Sequence, residues 1–341
     1  MKFAWVIRQG SCVLKTIMVS KWFLLVSGFI SIVMAAFAAE HDDQPTVIAI
    51  AGAAGEEEFG NQFDSWVTLW EKAARDAGAR SVTLRASSAT ETNQLAQIEQ
   101  ALRDEPRDGA GELWLVLLGH GTFDGKEARF NLHGPDLTSA DLAEWLRPFR
   151  RPVVVINAAS SSGPFLSKLS GTNRVVVTST RSGYEQNFAR FGQYLSEAIG
   201  DPQADIDKDG QVSLLEAFLT ASHRVAEFYQ REGRLSTEHA LIDDNGDGQG
   251  TPADWFRGVR AVKKSTTGAA LDGLRAHQVH LIRSQTEQAL SLPERARRDE
   301  LELAIAKLRD DKSKLPEDEY FRRLETFLLE LGRLYGEKPA P

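Results

Sequence analysis

The chain has 341 residues, 42% hydrophobic and 26% charged, with 40 Lys+Arg against 48 Asp+Glu for a formal net charge of −8. That composition supports a packed core and excludes wholesale disorder, and its acidic balance argues against a nucleic-acid binder, which needs a basic surface to displace counterions from phosphate. The single cysteine, Cys12, excludes a disulfide framework, a zinc knuckle and an iron–sulfur site, and leaves no thiol in the folded body.

Trp22–Ala38 reads WFLLVSGFISIVMAAFA behind Lys15 and Lys21, and Ala36-Phe37-Ala38 sets small residues at a cleavage point. Residues 1–38 are therefore expected to be a signal peptide, which makes the mature protein secreted or periplasmic. Met18 is an alternative start that gives a signal of standard length. An uncleaved anchor is the other reading, though the apolar run is short for a span. No later segment is long and apolar enough to cross a bilayer, so no stable span is expected once the signal is removed.

Thr46–Ala51 (TVIAIA) reads as a strand that runs into the loop AGAAG. That loop lacks the glycine and lysine spacing of a phosphate cradle. Phe63, Trp66, Val67 and Trp70 recur at helical spacing, and the tryptophans, with Trp114, read as core. Ser81–Arg85 reads as a second strand and Thr90–Arg103 as a helix with Leu95, Ile98 and Leu102 on one face. Leu113–Leu118 (LWLVLL) is a continuous apolar run, as expected of a strand buried on both faces. Leu137–Leu146 reads as a helix, Val153–Ile156 as a fourth strand and Val175–Thr178 as a fifth. Strands alternating with helices predict an α/β domain over residues 46–200, with a mostly parallel sheet and helices on both faces.

Residues 201–260 read as a helical segment with two Asp/Gly-rich loops around a helix Leu214–Tyr229. Residues 270–337 carry two amphipathic stripes, Leu301, Ile305, Leu308, Leu315 and then Tyr320, Leu324, Phe327, Leu331, Leu334, split at Leu315-Pro316. They predict a C-terminal helical hairpin.

Residues 205–216, DIDKDGQVSLLE, set Asp205, Asp207 and Asp209 at positions 1, 3 and 5 of a twelve-residue loop, with Gly210 at 6, Gln211 at 7, Ser213 at 9 and Glu216 at 12. This is the EF-hand calcium pattern in every slot. Alternate carboxylates converge on a hard cation, the glycine permits the turn, the carbonyl of residue 7 is a ligand, and the last glutamate can bind through both oxygens. Gly200-Asp201-Pro202 breaks the entering helix, so the expected site is a calcium loop with an exiting helix, and its calcium structural. A second, weaker loop sets Asp243, Asn245, Asp247, Gln249 and Asp254 at positions 1, 3, 5, 7 and 12.

Three segments follow strands: Gly119-His120-Gly121-Thr122, then Ala158-Ala159-Ser160-Ser161-Ser162-Gly163, then Thr178-Ser179-Thr180-Arg181-Ser182-Gly183. Over roughly residues 46–200 this layout resembles the caspase-like fold, and within it the legumain-type cysteine peptidases and their bacterial relatives. The resemblance implies that His120 matches the catalytic histidine and Gly121 the backbone oxyanion donor. The nucleophile position falls on Ala159 or on Ser160, depending on which flanking residues are aligned. Neither is cysteine. Alanine has no nucleophilic atom, and a serine needs a base oriented by a third group; Asp124 is the nearby acid.

The expectation is thus an exported calcium-binding protein with a catalytically inactive caspase-like domain that binds or scaffolds a protein or peptide partner. The alternative is a hydrolase using Ser160, Ser161 or Ser162 with His120. Arg181 and Glu185 are pocket candidates by location, His239 is a metal-ligand candidate without a second histidine at ligand spacing, and His277 and His280 read as surface or packing residues.

Overall fold

The computed structural model describes residues 43–85, 93–263 and 271–336. The expected signal segment and its expected cleavage point lie outside the described residues. Pro45–Pro341 forms one compact unit. Among the described residues no helix is long and apolar enough to cross a membrane.

Four parallel strands make the centre of a seven-stranded sheet: β1 (Thr46–Ala51), β3 (Leu113–Leu118), β7 (Val153–Asn157) and β8 (Arg174–Thr178). The strand β2 (Arg80–Leu84) pairs parallel with β1 at one edge. At the other edge β9 (Leu241–Asp243) runs antiparallel to β8, and β10 (Thr251–Pro252) closes the sheet in the order β10-β9-β8-β7-β3-β1-β2. Pro252 has no N–H to offer, which suits an outermost strand.

Side chains of the central strands alternate between two cores, as a sheet covered on both faces requires. Val47, Ala49, Trp114, Val116 and Ile156 face the helices α1 (Glu57–Asp76), α5 (Phe191–Ala198) and α6 (Leu214–Arg231). Ile48, Ile50, Leu115, Leu117 and Val155 face α2 (Gln94–Arg103), α3 (Ser139–Leu146) and α4 (Gly163–Leu169). The aromatic stripe of α1 is buried as its spacing predicts, and Trp70 Nε1 donates to Ser196 Oγ on α5 at 3.0 Å. This is the mostly parallel α/β sheet with helices on both faces that the sequence predicts.

Three short stretches depart from that prediction. Leu137–Thr138 is strand β6 and not the first turn of a helix, because Thr138 is an N-cap: its hydroxyl accepts from Asp141 N at 3.0 Å, in a capping box. With β4 (Gly121–Phe123) and β5 (Ala128–Phe130) it makes a three-stranded antiparallel sheet. The helix expected from Thr90 starts at Gln94, capped by Asn93; residues 86–92 lie outside the described residues. β9 and β10 arise inside a segment read as loops and a helix.

The C-terminal region is helical: α7 (Leu274–Gln278), α8 (Gln285–Gln288), α9 (Leu292–Asp310) and α10 (Glu317–Gly336). The last two form the expected hairpin around Leu315-Pro316, with Arg297 Nε on α9 donating to Glu330 Oε1 on α10 at 2.7 Å.

Candidate functional site

The carboxyl ends of β1, β3, β7 and β8 come together on one rim of the sheet. In open α/β sheets that rim, where strand order reverses between β1 and β3, is where ligands bind. Here Phe130 of β5, fully buried, plugs part of the crevice: a Cβ on Gly52 would lie 2.8 Å from its ring.

The three glycine- and serine-rich segments meet on this rim, joined mostly through hydroxyls. Ser160 Oγ donates to Gly121 O at 3.1 Å and accepts from Gly121 N at 3.2 Å. Ser162 Oγ lies 3.1 Å from Ser179 Oγ and 3.2 Å from Thr180 Oγ1, and Ser179 Oγ donates to the Ala159 carbonyl at 2.5 Å. The packing tolerates only glycine at 121: a Cβ there would sit 2.2 Å from Ser160 O and 3.4 Å from Ala159 Cβ. Ala159 and Ser160 therefore stand beside the residue that follows His120. Replacing Ser160 by alanine strips the buried Gly121 N–H of its partner and should cost about 1–3 kcal/mol, measured by chemical denaturation.

His120 is half-buried and ringed by Phe59, Phe63 and Phe188, with ring centroids 4.8, 5.2 and 5.9 Å away. Burial is the main force on its pKa and pushes it below the ordinary histidine value, against a hydrogen bond with the Ala54 backbone and the charge of Glu56. The ring is thus neutral at neutral pH. Among the described residues no carboxylate hydrogen-bonds it. Asp124 instead organises its own turn: backbone N–H groups of Glu127 and Lys126 and the Arg129 guanidinium hold its carboxyl down at about 2. His239 does carry a carboxylate: its Nδ1 lies 2.6 Å from Glu185 Oε1. That pair spans segments far apart in sequence, so no local motif announces it. Ser161 is the one serine of the three whose hydroxyl is buried without a partner, and its φ is +56°.

The loop 205–216 folds as its slots require. Asp205 Oδ1 and Oδ2 accept from Lys208 N at 2.6 Å and Gly210 N at 3.1 Å, Asp207 Oδ1 accepts from Asp209 N, and Asp209 Oδ1 accepts from Gln211 N. Lys208 and Gly210 take positive φ, +65° and +92°. Glu216, fully buried, accepts from Ile206 N at 2.7 Å and Asp207 N at 3.2 Å through Oε1, and from Ser213 N and Oγ through Oε2. One oxygen from each of Asp205, Asp207 and Asp209 lies within 4.8 Å of the others, and Asp207, Glu216 and His277 form a second such group. Burial, then the charges of Asp207 and Glu216, raise the Asp209 pKa. Converging carboxylates of this kind suit a divalent cation with oxygen ligands. His277, read from sequence as surface or packing, has Nε2 3.0 Å from Asp207 Oδ2. His280 is buried, and that burial pushes its pKa down to about 3.

The second loop repeats this scheme slot for slot. Asp243 Oδ1 and Oδ2 accept from Gly246 N and Gly248 N, both at 3.0 Å, Asn245 Oδ1 from Asp247 N, and Asp247 Oδ1 from Gln249 N. Asp254, expected at position 12, is exposed and pairs with Lys263 at 2.5 Å. Its slot is filled by Asp272. Asp272 Oδ1 accepts from Asp244 N at 3.0 Å and Asn245 N at 3.4 Å, and Oδ2 accepts from Thr251 Oγ1 at 2.5 Å. Those are the same loop positions, 2, 3 and 9, that Glu216 holds in the first loop.

Asp272 shares its buried corner with Asp244 and Asp243, and burial followed by their charges pushes its pKa up to about 8. A carboxyl with a folded pKa above its unfolded value, ~3.9, binds more protons in the native state. Asp272's contribution to the stability of metal-free protein should therefore fall as pH rises from 4 through 8, on the order of 5 kcal/mol for a pKa raised from ~3.9 to about 8. Melting curves at pH 5 and pH 8.5 in chelator test this, and Asp272→Asn should flatten the slope.

No protein-family model and no curated protein matches the chain. Among solved structures it is similar to a protein from Geobacter sulfurreducens, at 11% identity and a TM-score of 0.40 over 59% of this chain and 92% of that one. It is also similar to the Drosophila initiator caspase Dronc, at 9% identity and a TM-score of 0.39 over 60% of this chain and 81% of that one. A third similar structure is caspase-1 from Spodoptera frugiperda, at 11% identity and a TM-score of 0.36 over 60% and 86%.

Proposed function

We propose that the mature protein is an exported calcium-binding protein whose caspase-like domain binds a protein or peptide segment without cleaving it. The observation that carries this reading is the state of the strand-end rim. Ala159, at the nucleophile position that the legumain-type resemblance assigns, has no reactive atom, and Ser160, the other aligned position, has its hydroxyl committed to both polar groups of Gly121. Ser162 is committed to Ser179 and Thr180. His120 has an aromatic collar and no orienting carboxylate, so neither half of a nucleophile–base pair is assembled.

Calcium enters the same proposal through Asp205, Asp207, Asp209, the Gln211 carbonyl, Ser213 and Glu216. A second ion would be held by Asp243, Asn245, Asp247, the Gln249 carbonyl and Asp272. External calcium near millimolar fills even weak module-type sites. Export rests on the apolar leader and its small-residue cleavage point.

Incubation with a serine-directed fluorophosphonate probe and a peptide library, beside His120→Ala, should give no labelling and no cleavage above the variant. Labelling that disappears in His120→Ala would overturn the non-catalytic reading. It would favour a hydrolase built on Ser161, the unpartnered hydroxyl on the turn between β7 and α4.

A further inference from the structure

The two Asp-rich loops do not meet through a shared strand. Among the described residues β9, which opens the second loop, pairs with β8 and β10 and with nothing in residues 205–216. They meet instead through one short stretch, residues 272–277. At its start, Asp272 closes the second loop, accepting from Asp244 N, Asn245 N and the Thr251 hydroxyl. At its end, His277 reaches the first loop, with Nε2 3.0 Å from Asp207 Oδ2. An ionised carboxylate only accepts, so the ring nitrogen is the donor.

The stretch between these two ends has no slack. Asp244, position 2 of the second loop, accepts through Oδ2 from Gly273 N at 2.9 Å and from Ala276 N at 2.8 Å, which ties α7 to that loop. Gly273 has φ +108°, and a Cβ there would lie 2.6 Å from the Phe256 ring and 3.4 Å from Leu215. Ala276 is fully buried in the core that also holds Leu214 and Leu215. The helix α6 starts inside the first loop, capped by Ser213, and Leu214 N donates to Val279 O at 2.8 Å. A shift of Asp272 is therefore passed on to His277 and is not absorbed by the chain between them. Asp207 is the position-3 carboxylate of the first loop, with Oδ1 on Asp209 N and Oδ2 on His277. Partners that orient a ligating side chain in this way tune metal affinity by about 10–100-fold.

We propose that residues 272–277 couple the two loops, so that a divalent cation in either one raises the affinity of the other; this rests on the two-ion reading above. A cation held by Asp272 fixes the stretch, and the fixed His277 keeps Asp207 turned as the first loop needs it. The effect is reciprocal by linkage, so a cation in the first loop equally favours the second. His277 is a positioning residue in this scheme, acting through Asp207.

Calcium titration of the mature protein against a chromophoric chelator gives the overall association constant for two ions. Dividing it by the product of the single-loop constants, measured in Asp247→Ala and in Glu216→Gln, gives the coupling factor. Asp247 serves its own loop through Gln249 N, so its replacement leaves residues 272–277 in place. The expected factor is about fivefold or more. In His277→Ala, with the same two loop variants, it should fall to within about twofold of one. His277→Gln, which keeps an N–H donor for Asp207, should restore most of it. Two ions with a factor near one in the wild type, or a factor unchanged in His277→Ala, would overturn the coupling while the calcium reading stands. Binding of one ion or none would overturn the two-ion reading and the coupling with it.

Discussion

Raising free calcium from nil to millimolar should lift the melting temperature by about 5–10 °C, and Glu216→Gln should remove most of that rise. A ligand at a hundred times its Kd stabilises by about 2.7 kcal/mol, and each kcal/mol moves the midpoint of a protein near this size by about 2–4 °C. Glu216 is the informative residue because glutamine keeps one oxygen for Ile206 N and Asp207 N but loses the charge and the two-oxygen grip, along with the acceptor for Ser213 N and Oγ. Asp205→Ala is a poorer probe: its carboxylate also ties Lys208 N and Gly210 N, so the loop would loosen even in chelator. The gap between wild type and Glu216→Gln should be clearly wider in calcium than in chelator, where only the lost Ser213 contacts separate them. An equal gap in chelator would sink the ligand assignment.

The same loop reaches the tail. Gln211 Oε1 accepts from Ser284 N at 3.0 Å, and His277 rests on Asp207. Calcium bound at residues 205–216 would therefore also fix the start of the helical C-terminal region. Protease resistance around residues 274–288 should follow calcium occupancy, because cleavage of a locally opened segment tracks the population of the open form.

Features built from contiguous residues were the legible ones. The apolar runs of β1, β3, β7 and β8 identify themselves because burial on both faces demands unbroken hydrophobicity. The loop 205–216 is readable because its carboxylates and turn residues sit within one twelve-residue stretch. The second loop was half readable for the same reason. Its first slots are local, but its closing carboxylate, Asp272, arrives from beyond the short strand Arg260–Ala261. The sequence offered Asp254 at the right count, and the fold turned that side chain to Lys263. β9 was hidden because Leu241–Asp243 is three residues long and ends on the first carboxylate of an Asp/Gly-rich loop. The Glu185–His239 pair left no periodic or motif signal, since only the crossover through α5 and α6 brings its halves together. Thr138 is different: the Thr-x-x-Asp capping box was present in the sequence, and the apolar Leu137 before it drew the helix two residues too far.

Ala159→Cys should turn an inert position into a labelled one. A chain starting at residue 40 has no cysteine, so any alkylation by iodoacetamide in the variant reports residue 159 alone. A thiol is alkylated as thiolate, and a buried thiol without a partner base stays protonated. His120 is held neutral by burial, which leaves a ring nitrogen able to take the thiol proton. If the strand-end layout has the arrangement that the legumain-type resemblance implies, Ala159→Cys should react roughly tenfold faster, or more, than Ala159→Cys with His120→Ala, a lower bound set by ordinary general-base contributions. Equal rates would mean that His120 and position 159 are not coupled, and the assignment of both to a vanished catalytic pair would fall. Peptide cleavage by the variant should still remain at background. The histidine lacks an orienting carboxylate, Phe130 occupies part of the crevice between β1 and β3, and Ala159 is almost fully buried. A sulfur at 159 supplies one atom of such a mechanism, while His120 and the crevice are held in packing.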